Sequence, residues 1–424
     1  MTPSTHETHY LIAGASHAAL AALQAIRLVD DQRDLTLIAK DDRLPYSPTV
    51  LPYVVSGRST PASVSLRDDR YFAEHKVNFL RGRQVTGVST TERLATLSDG
   101  TRIKFEKLLV ATGARPVVPA IPGLADVGFH VLRTLDDAQR LRDRLSDARH
   151  AVVLGGGLIG MHAAENLCKS GVRVTVIEMQ AQVLPAYFDA DAAALIERAF
   201  ADAGVDLRTG SRVERIAPIA AGSAEFTVQI AGGARVAGDL LLVGAGVAPV
   251  TDYLAGTDIA MDRGVLVDDV MRTSAANVWA AGDVAQARDF YGSAPVVGGI
   301  VPDAVEQGRI AGMAMAEDST VTPYRGTVPI NTYRFFGNHA VAVGNNRAPP
   351  GAEVVVRGAG DHGRYLKIIL HEGRLHGIFG INEPFDAGVM WELILRRVDL
   401  GPVREQFLER PQDTARALMS RLWR

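Results

Sequence analysis

The sequence predicts an α/β fold. It has two Rossmann-like dinucleotide-binding domains, the first split by insertion of the second, and a small α+β domain at the C-terminal end. Three observations carry this. Short apolar strand patterns run into small-residue turns and then helix patterns at Gly14 and again, about 140 residues later, at Gly155. The segment after the linker "EDSTVTPYRGTVP" changes character, with two strand patterns around Glu372-Gly373 followed by the helix pattern "DAGVMWELILRR". At 424 residues the chain is also too long for one ordinary core.

In "HYLIAGASHAALAALQAIR" the helix is expected to start near His17. A phosphate-binding turn needs a glycine for its tight bend, a small residue where the backbone meets pyrophosphate, and a third where helix packs on strand. Gly14 and Ala19 fill the outer places. Ser16 takes the middle one, adding a Cβ but offering a hydroxyl to phosphate. Alone, this segment reads as well as a plain strand–helix turn.

The second copy, "HAVVLGGGLIGMHAAENLCKSGVRVTVIEMQ", sets Gly155, Gly157 and Gly160 at G-x-G-x-x-G spacing after the strand Val152 to Leu154. The next strand pattern, Val174 to Ile177, ends in Glu178. An acid about twenty residues beyond the glycines is placed to bond the ribose hydroxyls of a dinucleotide. It repels a 2′-phosphate, and no Arg or Lys between Met179 and Asp189 offsets that, so NADH is favoured over NADPH.

Net charge is −3 and the isoelectric point near 6.4, so nothing draws the chain generally to nucleic acid or anionic membrane, although a local basic patch stays open. There is no secretory h-region in "MTPSTHETHY" and no apolar run of 18 residues, so neither export nor a transmembrane segment is expected. The single cysteine, Cys168, rules out an internal disulfide, a redox dithiol and a cysteine-ligated cluster within this chain, and fits a reducing cytoplasm. His6, His9, His371 and His376 lack further ligands at metal-site spacing, so no metal site is expected.

Two more segments complete a pattern. "KLLVATGARPVVPAIPG" is a strand running into Ala111-Thr112-Gly113 and a proline-rich crossover, and "NVWAAGDVA" is a strand ending at Gly282-Asp283. With four motifs in this order, residues 9–320 resemble the pyridine nucleotide–disulfide oxidoreductase superfamily. The resemblance implies FAD and NAD as cofactors. It places Thr112 and Gly113 at the exit from the FAD domain and Asp283 on the FAD ribityl chain. It points the N-terminus of the helix "VPDAVEQGRIAGMAMA" at the flavin, with Ala304 to Gln307, including Glu306, near the ring. The helix dipole favours negative charge there. The domains read as 1–115 with 247–322 for FAD, 116–246 for NAD, and 323–424 as an α+β interface domain.

The chain departs from the family in telling places. Lys40 stands where an acid usually meets the FAD ribose; Asp41 serves one place later, Lys40 faces phosphate, or both are solvated. Tyr46 opens "YSPTVLPYVVSGR" and is expected at the cofactor. NADH oxidases and CoA-disulfide reductases carry a redox cysteine just before an "LPY"-like segment, and alignment on Leu51-Pro52-Tyr53 puts Thr49 there. A threonine hydroxyl forms neither a sulfenate nor a thiolate, so thiol chemistry is excluded.

The thiol-free relatives are the ferredoxin, rubredoxin and putidaredoxin reductases, which often pair a lysine near the flavin with a glutamate after the second glycine motif. Those positions hold Tyr53 and His162. They are expected to face each other beside flavin N5, a hydrogen bond replacing the ion pair; the alternative leaves Tyr53 as packing and His162 as a helix residue. Hydride transfer needs orientation and electrostatics, so no general base is assigned.

The reading is an FAD-dependent NAD(H) oxidoreductase exchanging electrons with an iron–sulfur protein or subunit, with a lean toward the NAD-coupling subunit of an aldehyde or 2-oxoacid oxidoreductase. Two others stand beside it: a free-standing NADH reductase of quinone, oxygen or a small acceptor, and a non-catalytic nucleotide-binding assembly protein. The C-terminal stripe Ala415, Leu418, Met419 and Leu422, with Trp423, docks on its own domain, on a partner subunit or on a membrane surface. Homo- and hetero-oligomers both remain open.

Overall fold

The computed structural model describes residues 5–220, 223–358 and 363–422. By its internal contacts the chain forms two units, one of Met1–Val50, Thr60–Arg115 and Val247–Thr327, the other of Leu51–Ser59, Pro116–Gly246 and Val328–Arg424. The chain has the expected α/β class.

The first unit is built on a seven-stranded sheet, parallel except for the antiparallel strands Val85–Ser89 and Leu94–Leu97. The strand Thr5–Ala13 lies between Leu35–Ile38 and Arg102–Val110, with Val77–Leu80 beyond the former and Val278–Ala280 beyond the latter. Because both faces are covered, alternate residues enter different cores: Tyr10 and Ile12 join one, Leu11 and Ala13 the other. Small residues let the helices His17–Val29 and Val301–Met315 touch. A Cβ on Gly308 would stand 2.2 Å from the Ala18 carbonyl oxygen, and one on Gly312 would stand 2.4 Å from that of Ala22. This draws the start of each helix toward the end of the sheet where Gly14 lies.

The second unit has a parallel sheet in the order Asp206–Arg208, Arg173–Ile177, His150–Leu154, Leu240–Val243. It also contains an antiparallel three-stranded sheet, Val213–Pro218, Phe226–Ile230 and Arg235–Gly238. A five-stranded antiparallel sheet follows, in the order Ile330–Phe335, Asn338–Gly344, Arg374–Ile381, Tyr365–His371, Glu353–Arg357. The expected Glu-Gly hairpin is present, with Glu372 at φ 50° and Gly373 at φ 71°. Two successive positive φ values give a hairpin turn whose twist matches its strands. Phe336 and Gly337 repeat the device at φ 42° and 83°.

Asp386 caps the expected helix Ala387–Leu395 by accepting from the Gly388 and Val389 amides. The last helix, Pro411–Leu422, packs on it and buries Ala415 and Met419, so that face docks on its own domain. Trp423 and the Leu422 side chain lie outside the described residues. Among the described residues no helix is long and apolar enough to cross a membrane.

Candidate functional site

In the first unit the strand Thr5–Ala13 ends at Gly14, whose φ is 115°. A Cβ there would stand 2.1 Å from the Ala111 carbonyl oxygen, so only glycine lets the turn lie against the Ala111-Thr112 segment. Ser16 is the N-cap of the following helix, yet its side chain makes no cap hydrogen bond, which leaves its hydroxyl for a phosphate. Ala19 is fully buried. A small third residue and an uncapped helix start fit the phosphate end of FAD.

The other positions expected around FAD are held by the unit's own bonds. The Gly282 amide donates to Gln307 Oε1 at 2.9 Å, which fixes the start of the Val301–Met315 helix beside Gly282-Asp283. Gln307 is buried by that bond, whereas Glu306 makes a two-pronged ion pair with Arg309 at 2.7 and 2.9 Å. Thr112 Oγ1 lies 3.1 Å from both the Val250 carbonyl and the Tyr253 hydroxyl, and Gly113, at φ 69°, turns the chain. Tyr46 donates to Asp41 Oδ2 at 3.0 Å, so Asp41 is engaged and Lys40 is exposed.

Two residues here gave little signal in the sequence. His17 is the first residue of its helix, as expected, and its Nε2 lies 2.8 Å from Ser47 Oγ. Asp303, in the first turn of the Val301–Met315 helix, is only 4% exposed, and its Oδ2 has no hydrogen-bond partner among the described residues. Burial pushes its carboxyl up to about 7, with Asp283 adding to the rise and the Tyr324 and Thr327 hydroxyls opposing it.

The stability consequence has a definite sign. A folded pKa raised from 3.8 contributes stability fully present below about pH 4 and lost as the pH climbs through about 7. Asp303→Asn is expected to lose this slope. Its stability relative to the parent should rise between pH 4 and 8 by on the order of 4 kcal/mol, read from urea midpoints. A pH-independent difference would contradict the assignment.

The second unit holds the fuller turn. Gly155, at φ 110°, leaves no room for a Cβ, which would stand 2.5 Å from the Gly244 carbonyl oxygen. A Cβ on Gly160 would stand 2.0 Å from the Gly155 carbonyl, so the helix Leu158–Lys169 packs tightly on the turn. Gly157, its N-cap, has no atom within 4 Å of a built Cβ, the open approach that a pyrophosphate needs. Glu178, just past the strand Arg173–Ile177, accepts from the Gly156 amide at 2.5 Å and from the Gln180 amide at 2.7 Å. Its carboxylate is thereby aimed over the turn, where ribose hydroxyls fit.

The expected pairing of Tyr53 with His162 takes another form. His162 lies edge-on to Tyr333, ring centroids 4.6 Å apart, while Tyr53 is half-exposed beneath the Arg58 guanidinium at 5.1 Å. No hydrogen bond joins Tyr53 and His162 among the described residues. The reason is the helix Leu51–Val55, whose Pro52 carbonyl is held by Asn166 Nδ2 at 3.0 Å, together with the aromatic strand Ile330–Phe335 that covers His162. Burial lowers the His162 pKa and Arg58 adds to this, while Glu165 opposes it, so the ring is neutral at neutral pH. Among the described residues, the buried Tyr333 hydroxyl and Asn331 Nδ2 on that strand have no hydrogen-bond partner.

Comparison with known proteins gives the family. Residues 8–309 match the model of the pyridine nucleotide-disulphide oxidoreductase family. The chain is 52% identical, over 100% of both proteins, to the NADH-dependent phenylglyoxylate dehydrogenase subunit epsilon of Aromatoleum evansii. It is 30% identical to the biphenyl dioxygenase system ferredoxin–NAD(+) reductase component of Paraburkholderia xenovorans (strain LB400), covering 92% of this chain and 93% of that one. Among solved structures, the covalent putidaredoxin reductase–putidaredoxin complex matches with a TM-score of 0.83 and 26% identity, covering 92% of this chain and 94% of that one. FAD and NAD(H) are thus the cofactors, and the chain belongs to the pyridine nucleotide-disulphide oxidoreductase family.

Proposed function

We propose that this protein moves electrons between NAD(H) and an iron–sulfur protein or subunit, and that it does so in the cytoplasm as the NAD-coupling flavoprotein subunit of a larger 2-oxoacid oxidoreductase. The observation that carries this reading is that no thiol lies in the first unit. Thr49 there shares a hydrogen bond with Ser47, and the one cysteine, Cys168, lies on a helix of the second unit, where its Sγ donates to the Ala203 carbonyl at 3.4 Å. Burial pushes the Cys168 thiol up, away from the reactive thiolate. Bound flavin takes a hydride as two electrons and releases them singly, which suits a one-electron acceptor outside the chain.

The chain's own residues orient the partners. In this reading the Gly14 and Gly155 turns hold the two pyrophosphates, Glu178 holds the NAD ribose, and Asp283 holds the ribityl chain. Tyr53 and His162 border the nicotinamide, His162 as a neutral ring fixed by Tyr333. The full-length likeness to a dehydrogenase epsilon subunit supports a place in an assembly. Gentle purification from the native host, followed by native mass and iron content, tests it. A large iron-bearing assembly that reduces NAD+ with a 2-oxoacid is expected; a lone iron-free flavoprotein that turns over NADH with quinone or oxygen contradicts it.

A further inference from the structure

The Glu178 carboxylate, read above as the group that meets the NAD ribose, is held by a run of hydrogen bonds. Gly156 donates its amide to Glu178 Oε2 at 2.5 Å and accepts at its carbonyl from the Leu184 amide at 2.9 Å. Leu184 reaches that carbonyl from a left-handed backbone, φ 51°, which a bulky residue adopts only where its surroundings hold it there. It is fully buried. Its own carbonyl accepts from the Tyr187 and Phe188 amides at 2.9 and 3.2 Å, and Glu197 Oε1 accepts from the Val183 amide at 3.0 Å. The next residue along, Asp189, caps the helix Ala190–Asp202 by accepting from the Ala192 amide at 3.2 Å.

The far end of this run is fixed by the C-terminal sheet. Tyr365 and Lys367 stand two residues apart on the strand Tyr365–His371 and so share a face. Both donate to Asp189 Oδ2, the hydroxyl at 2.6 Å and the ammonium at 2.8 Å. Tyr365 is buried, and the Lys367 side chain, only 12% exposed, also donates to the Asn346 carbonyl at 3.3 Å. Charge-assisted bonds in so enclosed a place are stronger than a surface ion pair. The Ala192 amide already satisfies the cap, so these two donors, from 176 and 178 residues away, do something besides starting a helix.

We infer that Tyr365 and Lys367 are positioning residues for NAD(H). Through Asp189 they hold residues 182–189, Leu184 holds the Gly156 peptide, and that peptide aims the Glu178 carboxylate. The inference rests on the reading of Glu178 as the ribose group. Without the Asp189 anchor, Leu184 relaxes out of its strained backbone, the Gly156 carbonyl loses its donor, and the peptide that orients Glu178 is free to turn.

The test uses the FAD-loaded protein, with ferricyanide as acceptor for steady-state kinetics and calorimetric titration with NAD+ as a binding readout. Tyr365→Phe removes one hydroxyl, and Lys367→Met removes the ammonium while keeping an apolar stem. Each is expected to raise the KM for NADH and the Kd for NAD+ together by roughly 3- to 30-fold, with kcat little changed. Hydrogen exchange at the Leu184 amide should quicken in both. Added to Glu178→Gln, either change should cost less than it does alone, because the carboxylate it positions is already gone. If Glu178→Gln binds NAD+ as the parent does, the ribose reading falls and the positioning role with it. If Glu178→Gln weakens binding while Tyr365→Phe and Lys367→Met bind as the parent does, or lose the same factor with and without Glu178, the positioning role alone is overturned.

Discussion

Gly14→Ala is expected to give a protein that purifies without the yellow colour of bound flavin and melts well below the parent. Two effects add. The residue sits at φ 115°, a region that side-chain-bearing residues adopt at about 1–3 kcal/mol. The new methyl would also stand 2.1 Å from the Ala111 carbonyl oxygen, a backbone atom that moves only with its strand, and such overpacking costs about 1–3 kcal/mol. The sum, roughly 4 kcal/mol, falls on the turn proposed to meet the FAD phosphates. Calorimetry with and without added FAD measures it. A yellow protein of unchanged melting temperature would mean that the phosphates lie elsewhere.

Glu178→Gln should raise the KM for NADH by roughly 10- to 100-fold with little change in kcat, because charge-assisted hydrogen bonds contribute about 1.5–3 kcal/mol each and the ribose sits far from the reacting ring. The amide has only one acceptor oxygen, so either the Gly156 or the Gln180 amide loses its partner, and the turn loosens as well. Removing the negative charge should also relax the bias against NADPH, since a 2′-phosphate no longer meets a carboxylate. Steady-state kinetics with both nucleotides check this. A variant that still prefers NADH as strongly as the parent would move the ribose away from Glu178.

The features visible in the sequence are those where backbone geometry dictates residue type over a short span. The strand–Gly155–Gly157–Gly160–helix turn needs glycines at three fixed places, and the structure puts each in the conformation or close approach that excludes a Cβ or leaves the turn open. The Glu372-Gly373 hairpin and the Asp386-capped helix were legible for the same local reason. The second positive-φ hairpin was not, because Phe336 is a bulky aromatic, a residue type that rarely takes a positive φ.

What stayed hidden depends on contacts between distant segments. Tyr333 meets His162 only because the Ile330–Phe335 strand returns over the Leu158–Lys169 helix. Ser47 joins His17 across 30 residues. An acid in a helix's first turn, such as Asp303, ordinarily reads as a solvated complement to the dipole. Here Tyr324 and Thr327 lie beside it and Gly298 crosses it so closely that a Cβ would stand 2.0 Å from Asp303 Oδ2, so the acid is enclosed.

In the proposed function, hydride enters and single electrons leave without a thiol. The most direct measurement is an anaerobic count of one-electron equivalents delivered to an iron–sulfur acceptor per NADH consumed, made on the parent and on Cys168→Ser. Two equivalents per NADH at equal rates in both proteins are expected. Loss of transfer in the serine variant, or electrons that reach only two-electron acceptors, would contradict it.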